Sequence, residues 1–435
     1  MIHWRRATVR AVLSDRPGAR EVRVELHSPL PAVDGTPRDG DLTVRALAYT
    51  DLVGTPEVDD AVLLNVSALA RRLGTGGFAL VTAIPDRLPA DPPPGPGHLV
   101  KDRYSPLQTM VLGVDDQESP HHDVLASASG IEHTPVVVAD LHSALPAIIA
   151  GVRADAPDAR IAYVMTDGAA LPLSFSQAVA GLREADLLHT TVTVGQAHGG
   201  DLEAVTVHTG LLAAVHVADA DVVVVSQGPG NLGTGTPYGF SGLVVGDHLN
   251  AAALLGGTPI AALRMSQADA RERHLGISHH TLTAVGRVAR PGCLVPVPRS
   301  SSQDAAEAPV TVAMDAQLPQ LETAGHTLVD VPTDGLRAAL EDSPVRLSTM
   351  GADWTRTRSR SSPPRPRVGA PRRGSVADGR ERHRRRPVRV GGDGGTVLRD
   401  SAALHGAQAP ATPSRSHTKM RLSLGPIAPG TPFGP

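Results

Sequence analysis

Asp221–Gly242 reads D-V-V-V-V-S-Q-G-P-G-N-L-G-T-G-T-P-Y-G-F-S-G. Four consecutive valines bounded by turn residues form a short apolar run without alternation, which reads as a buried strand. A glycine-rich loop follows, then an apolar helix-like run from Leu243 to Leu255. Strand, glycine loop and helix is the layout in which open α/β sheets build binding sites. The stretch therefore predicts a pocket in a doubly wound sheet, and it names no reaction.

Outward from this stretch the same alternation continues. Strands are predicted at Pro135–Ala139, Arg160–Met165, Thr190–Gly195, Asp221–Ser226, Pro259–Leu263, Val310–Met314 and Val345–Thr349. Helices are predicted at His142–Arg153, Phe175–Leu188, Leu202–Val217, Leu243–Leu255, Ser278–Val288, Gln317–Leu328 and Gly335–Glu341, with Pro291–Pro309 as a polar connection. Repeated β-α units imply a Rossmann-like α/β fold, a mostly parallel sheet with helices on both faces. Nearer the N-terminus, Thr8–Leu13, Glu21–Leu26, Leu42–Ala48 and Phe78–Ile84 read as short strands of a small barrel or sandwich. Val62–Leu73 reads as a strand and a helical turn, and Gly74-Thr75-Gly76-Gly77 as a tight bend. The expected organisation is a β-rich N-terminal domain over 1–87, linker and loops over 88–133, a Rossmann-like α/β domain over 134–350, and a basic disordered tail over 351–435.

Composition narrows the classes. Aromatic residues make up only 2% of the 435, so the core must rest on Val, Leu, Ile and Ala. One cysteine, Cys293, excludes an internal disulfide or a cysteine zinc cluster and fits a reducing, cytoplasmic setting. No signal-peptide pattern and no apolar run of about 20 residues is present, so no membrane span is expected. The formal net charge of −3 averages unlike parts: Gly351–Pro435 carries 17 Lys and Arg against 5 Asp and Glu, leaving 24 against 39 elsewhere. An acidic body argues against nucleic acid as the natural partner.

The tail has a second reading. Around Gly351-Ala352-Asp353-Trp354-Thr355 the codons must be GGN-GCN-GAY-TGG-ACN. A frame one nucleotide back turns GAY-TGG-AC into a forced Leu-Asp. Misread GC-rich DNA would also yield this Arg, Pro, Gly and Ser content, so residues 351–435 are expected to be out-of-frame translation.

Polar clusters stand where the predicted strands end: Asp140-Leu141-His142-Ser143, Thr166-Asp167-Gly168, His198-Gly199-Gly200-Asp201, the Gln227–Thr236 loop, and Arg264-Met265-Ser266. In a parallel sheet all C-terminal strand ends share one edge, so Asp140, Asp167, His198, Gly228 and Arg264 are expected around one cleft. The loop contains G-x-G-x-x-G from Gly228 to Gly233, and three readings stay open. A dinucleotide site is disfavoured because the helix is delayed past Gly242 and the strand is fourth in its series. An anion site would use Gly228, Gly230, Asn231, Gly233, Thr234, Gly235 and Thr236 through backbone N–H groups and hydroxyls. A long turn would need no ligand.

Proton transfer would fall to His198, with Asp140 or Asp167 as its carboxylate. Asp201 could instead be a helix N-cap. Arg264–His280, R-M-S-Q-A-D-A-R-E-R-H-L-G-I-S-H-H, gathers Arg264, Arg271, Arg273, His274, His279 and His280 in an acidic body. An anionic group is their natural partner. The alternative is a solvated loop with Ser278 capping a helix. No H-E-x-x-H or similar spacing assigns a metal, His121-His122-Asp123 reads as a polar loop, and Cys293 reads as an inert thiol. No cofactor is indicated.

Together, L-L-N-V-S-A-L-A-R-R-L-G-T-G-G-F, Y-V-M-T-D-G-A-A-L-P-L, H-G-G-D-L-E-A-V-T-V-H-T-G-L-L-A-A, G-P-G-N-L-G-T-G-T-P-Y-G-F-S-G and G-I-S-H-H-T-L-T-A-V-G-R-V resemble the bacterial proteins grouped as domain-of-unknown-function family 3866. The resemblance covers Val9 to Gly351. It implies an intact domain there and no particular reaction. The family-like ending R-L-S-T-M-G stops at Gly351, which supports the frameshift reading. The function expected is an enzyme acting on a small anionic metabolite at the sheet edge. Its rival is a non-catalytic sensor or binding module using the same pocket, and a remote third class is a nucleic-acid binder acting through the tail.

Overall fold

The computed structural model describes residues 2–32, 42–73, 76–266, 272–299, 308–345, 347–349 and 352–353. The expectations for Gly74, Thr75, Arg271 and the tail, apart from residues 352 and 353, lie outside these residues.

Strands β1 (Trp4–Arg16), β2 (Ala19–Leu26), β3 (Thr43–Tyr49), β4 (Ala61–Asn65) and β5 (Ala79–Ala83) close a barrel in the order β1-β2-β3-β5-β4, with β4 antiparallel to β1. Alternation explains the closure. Ala7 and Val9, Val22, Val24 and Leu26, and Val62 and Leu64 are all buried, each two residues from the next on its strand. A hairpin of β6 (Leu99–Lys101) and β7 (Thr109–Val111) follows.

The larger unit is an eight-stranded, all-parallel sheet with helices. Its strands are β8 (Pro135–Val138), β9 (Ile161–Thr166), β10 (Thr190–Val194), β11 (Leu202–Ala204), β12 (Val222–Gln227), β13 (Thr258–Ala261), β16 (Leu294–Arg299) and β17 (Thr327–Pro332). A short ladder of β14 (Met265–Ser266) and β15 (Gly276–Ile277) lies beside it. The sheet order is β11-β10-β9-β12-β8-β13-β16-β17. The valine run is therefore central, and all six residues of β12 are buried, as a strand covered on both faces requires. Helices Leu145–Asp155, Gln177–Glu184 and Leu336–Glu341 form one contacting group, and helices Val207–His216 and Val245–Leu254 form another. With almost no aromatic residues, the core is Val, Ile, Leu and Ala around one fully buried Tyr163. No helix among the described residues is long and apolar enough to cross a membrane.

Several expected elements change identity. Val310–Met314 is not a strand but part of helix Ala308–Thr323, and the strand that follows is β17, where a helix to Leu328 was expected. Val310, Met314, Leu318 and Leu321 are buried, a helical spacing that outweighs the β-branched Val310, Thr311 and Val312. The seventh sheet strand is β16, inside the expected Pro/Ser connection. Pro296 and Pro298 hide it, because proline lacks an N–H for the ladder. β16 pairs with β13 only at Ile260–Leu294 but with β17 along all six residues. The helix expected from Leu202 begins at Val207, after β11 and with Thr206 as its N-cap. His122–Ser127 is a short helix rather than a loop. Ser348–Thr349 pairs only with Ala352–Asp353, outside the main sheet.

Candidate functional site

At the centre of the C-terminal edge, the connections from β8 and β12 pass to helices in the two different groups, Leu145–Asp155 and Val245–Leu254. This divergence opens a crevice between the two strand ends. Asp140 follows β8 and Gln227 closes β12; both are buried, and Gln227 Nε2 donates to the Asp140 carbonyl at 3.1 Å. Gln227 and Thr166 are register neighbours, and their Oε1 and Oγ1 are buried with no hydrogen-bond partner among the described residues. The Asp167–Gly168 turn lies against the Gln227 amide, and the Ala170 N–H donates to the Pro229 carbonyl at 3.1 Å.

Arg264 enters from the end of β13. It is buried, with Nη1 3.8 Å from Asp140 Oδ2. Its backbone is clamped: the N–H donates to Thr281 Oγ1 at 3.3 Å, and the carbonyl accepts from the Ser278 N–H at 2.8 Å. The β14–β15 ladder folds the chain back, so that His274, His279 and His280 join it. Their ring centroids stand 4.2 to 5.3 Å apart, and Phe240, at the end of the glycine loop, stacks on His280 at 4.0 Å. His280 is pushed down to about 3, first by burial and then by His279, Arg264, His274 and Arg273. Arg264 Nε and His280 Nδ1 have no hydrogen-bond partner among the described residues. A bound anion would offset the positive neighbours that add to burial in lowering His280.

Beside Asp140, His142 anchors a buried network. Its Nδ1 is 2.9 Å from Tyr163 Oη and its Nε2 is 2.7 Å from Ser176 Oγ. Tyr163 Oη is in turn 3.1 Å from Ser226 Oγ, and Ser176 caps helix Gln177–Glu184 by accepting from the Val179 N–H. Burial holds His142 down at about 4, so the imidazole is neutral and structural.

The other half of the edge is built differently. Asp167 Oδ2 accepts from the Gln196 N–H at 2.8 Å. Lys101, carried in by β6, is fully buried and donates to the carbonyls of Thr193, Ala197 and Ala204 at 3.4, 3.0 and 2.8 Å, with Glu203 Oε2 3.3 Å away. Burial lowers the Lys101 pKa and raises that of Glu203, while their attraction opposes both shifts. Three carbonyls and a carboxylate around the ammonium favour the charged pair. His198 belongs to this half. Burial pushes it below its usual value, and the charges acting on its ring are Asp102, Lys101 and Asp51 rather than Asp140, Asp167 or Arg264. Asp201 accepts from the Thr191 N–H at 2.8 Å and pairs with Arg183, so it caps no helix.

The glycine loop projects into solvent, with residues 231–238 exposed. Several of its donors are already used. The N–H groups of Gly228, Leu232 and Thr234 go to Thr166 O, Ser241 Oγ and Gly239 O at 3.2, 3.1 and 2.7 Å, and Thr234 Oγ1 lies 3.2 Å from Thr236 Oγ1. Glycine is required by conformation at Gly235, where φ is +79°, and by close approach at Gly239, where a Cβ would strike both threonine hydroxyls. The loop is a closed hairpin, with Gly230, Asn231, Gly233, Gly235 and Thr236 on its exposed rim.

Asp140, Gln227, Gly228, Arg264, His279 and His280 are thus brought to one half of the edge, Asp167 sits at the divide, and His198 faces the other half. Phe240 was not singled out from the sequence, although it is one of only four phenylalanines, placed where a loop meets a helix.

The family described as Protein of unknown function (DUF3866) matches residues 45–360. No curated protein and no solved structure matches the chain.

Proposed function

The chain belongs to the DUF3866 family, and on that premise we propose that it binds a small anionic molecule, phosphate- or carboxylate-bearing, in the crevice between β8, β12 and β13. The observation that carries this reading is Arg264: a buried guanidinium, with Nε unpartnered among the described residues, beside the packed rings of His274, His279 and His280, the last of them lowered by burial and then by its positive neighbours. Arginine grips oxyanions through paired N–H donors, and a dry setting strengthens each bond. His279 and His280 would complete the anion's shell, and the rim of the glycine loop would cover it. The protein would work in the cytoplasm, where its one buried thiol, raised to about 11 by burial, stays reduced.

Binding without catalysis is the version the geometry favours. The charges that act on His198, expected to move protons, are Asp102, Lys101 and Asp51. Asp140 lies against Arg264 as a counter-ion, which suits it poorly as a base.

The test is a thermal-shift screen of the full chain against inorganic phosphate and a panel of phosphorylated and carboxylated metabolites. A ligand at a hundred times its Kd adds about 2.7 kcal/mol to the native state. A hit whose shift disappears in Arg264→Gln and shrinks in His280→Asn supports the site. A panel that moves nothing, or a shift that survives Arg264→Gln, removes it.

A further inference from the structure

A second polar cluster lies away from the crevice, at the root of the β6–β7 hairpin. We propose that His98, Asp116 and Glu118 form a site for one divalent transition cation of the Zn2+ kind, which staples this root together.

One ligand atom from each of the three residues lies within 4.8 Å of the other two. Ligand atoms about 2 Å from a zinc ion stand at most about 4 Å apart, so a small turn of a side chain closes the set. The residue best able to turn is His98, whose side chain is 77% exposed and whose Nδ1 is 3.3 Å from Asp116 Oδ2. Glu118 is held in place by the Gly97 N–H, which donates to its Oε2 at 2.8 Å. One imidazole and two carboxylates are a donor set zinc accepts, with water completing the tetrahedron from the exposed side.

Asp116 supplies the second observation. Its side chain is only 4% exposed, and its Oδ1 is buried without a hydrogen-bond partner among the described residues. That oxygen belongs to the carboxylate whose Oδ2 faces the His98 ring. A buried carboxylate oxygen without a donor is costly. Holding a second carboxylate beside it adds repulsion, and a bound cation offsets both terms.

The position gives the ion a purpose. Gly97 runs so close to the other limb of the hairpin that a Cβ there would lie 2.5 Å from Leu112 Cα. The ladder pairs Leu99 with Val111 and Lys101 with Thr109. Past the ladder, the Val114 N–H donates to the Glu203 carbonyl at 2.7 Å, joining the segment to the sheet edge. A cation held by His98 before the hairpin and by Asp116 and Glu118 after it would fix both ends of the segment that delivers Lys101 to its buried cage.

The experiment is calorimetric titration of the chelator-treated full chain with Zn2+, alongside His98→Ala and Glu118→Gln. His98 and Glu118 are exposed, so these variants keep the fold, whereas Asp116→Asn changes a buried group and serves only as a third comparison. The result expected is one saturable equivalent in the parent and a Kd weakened at least tenfold in each of the two exposed variants. Added Zn2+ should raise the parent's melting temperature and leave theirs unmoved. No saturable binding would mean that the cluster is a His98–Asp116 ion pair only. Unchanged affinity in both variants would mean that other histidines take the metal. Either result overturns the site.

Discussion

Single histidines set the acid response. His142 and His248 are buried and held neutral, each lowered to about 4 by burial. In the unfolded chain each takes up a proton near pH ~6.5. Between these two values the unfolded state binds more protons than the folded one. The stability they confer is therefore complete above about pH 6.5 and is lost as the pH falls toward 4. Each should account for on the order of 2 kcal/mol across that window. Urea unfolding at pH 7 and pH 4.5 measures the loss. A His142→Asn variant should be less stable at pH 7 and show a shallower dependence on pH; an unchanged slope would mean that His142 does not titrate between the two states. His280 is lowered further, to about 3, and there neighbouring positive charges add to burial. Nothing in Ser278-His279-His280 distinguishes these causes in sequence, because Arg264 arrives from the segment that follows β13.

At the scale of the element, helix Ala308–Thr323 offers the sharpest check. Met314 and Leu318 are buried on one face, while Val312 is 70% exposed. Met314→Ala and Leu318→Ala should each cost roughly 2–5 kcal/mol, the range for emptying an apolar core position. Val312→Ala should fall within about 0.5 kcal/mol of the parent. Comparable losses at Val312 and Met314 would restore the strand that local β-propensity favours. The glycine loop makes the reverse point. Its composition announces a turn, yet whether the turn opens as a cradle or closes on itself depends on whether Thr234 meets Gly239, which it does.

At the scale of the molecule, Lys101 links the connecting hairpin to the sheet. Lys101→Met would strand Glu203 and three carbonyls in the interior. It should destabilise the protein by about 3–5 kcal/mol, as breaking a buried pair does. Chemical denaturation with Glu203→Gln as the partner variant checks this, since a loss under 1 kcal/mol would show the cage to be wet. The barrel joins the same assembly through Arg16, which pairs with Glu21 at 2.8 Å and donates to the Ser174 carbonyl at 3.1 Å. By itself the sequence determined the barrel strands, the parallel β-α order through β13 except for β11, and the presence of polar clusters at the strand ends. Those features are local: periodicity, turn residues and the valine run of β12 are read within a few positions. Only the tertiary structure decided that Pro296 and Pro298 lie in a sheet strand, that Val310 belongs to a helix, and that β12 inserts between β8 and β9. The same holds for the sorting of site residues. Asp140 and Arg264 meet across 124 positions because β8 and β13 are neighbours in the sheet, whereas the charges that act on His198 are those of Asp102, Lys101 and Asp51. Strand order and long-range charge pairing are set by how whole faces pack, and no short window of sequence contains that information.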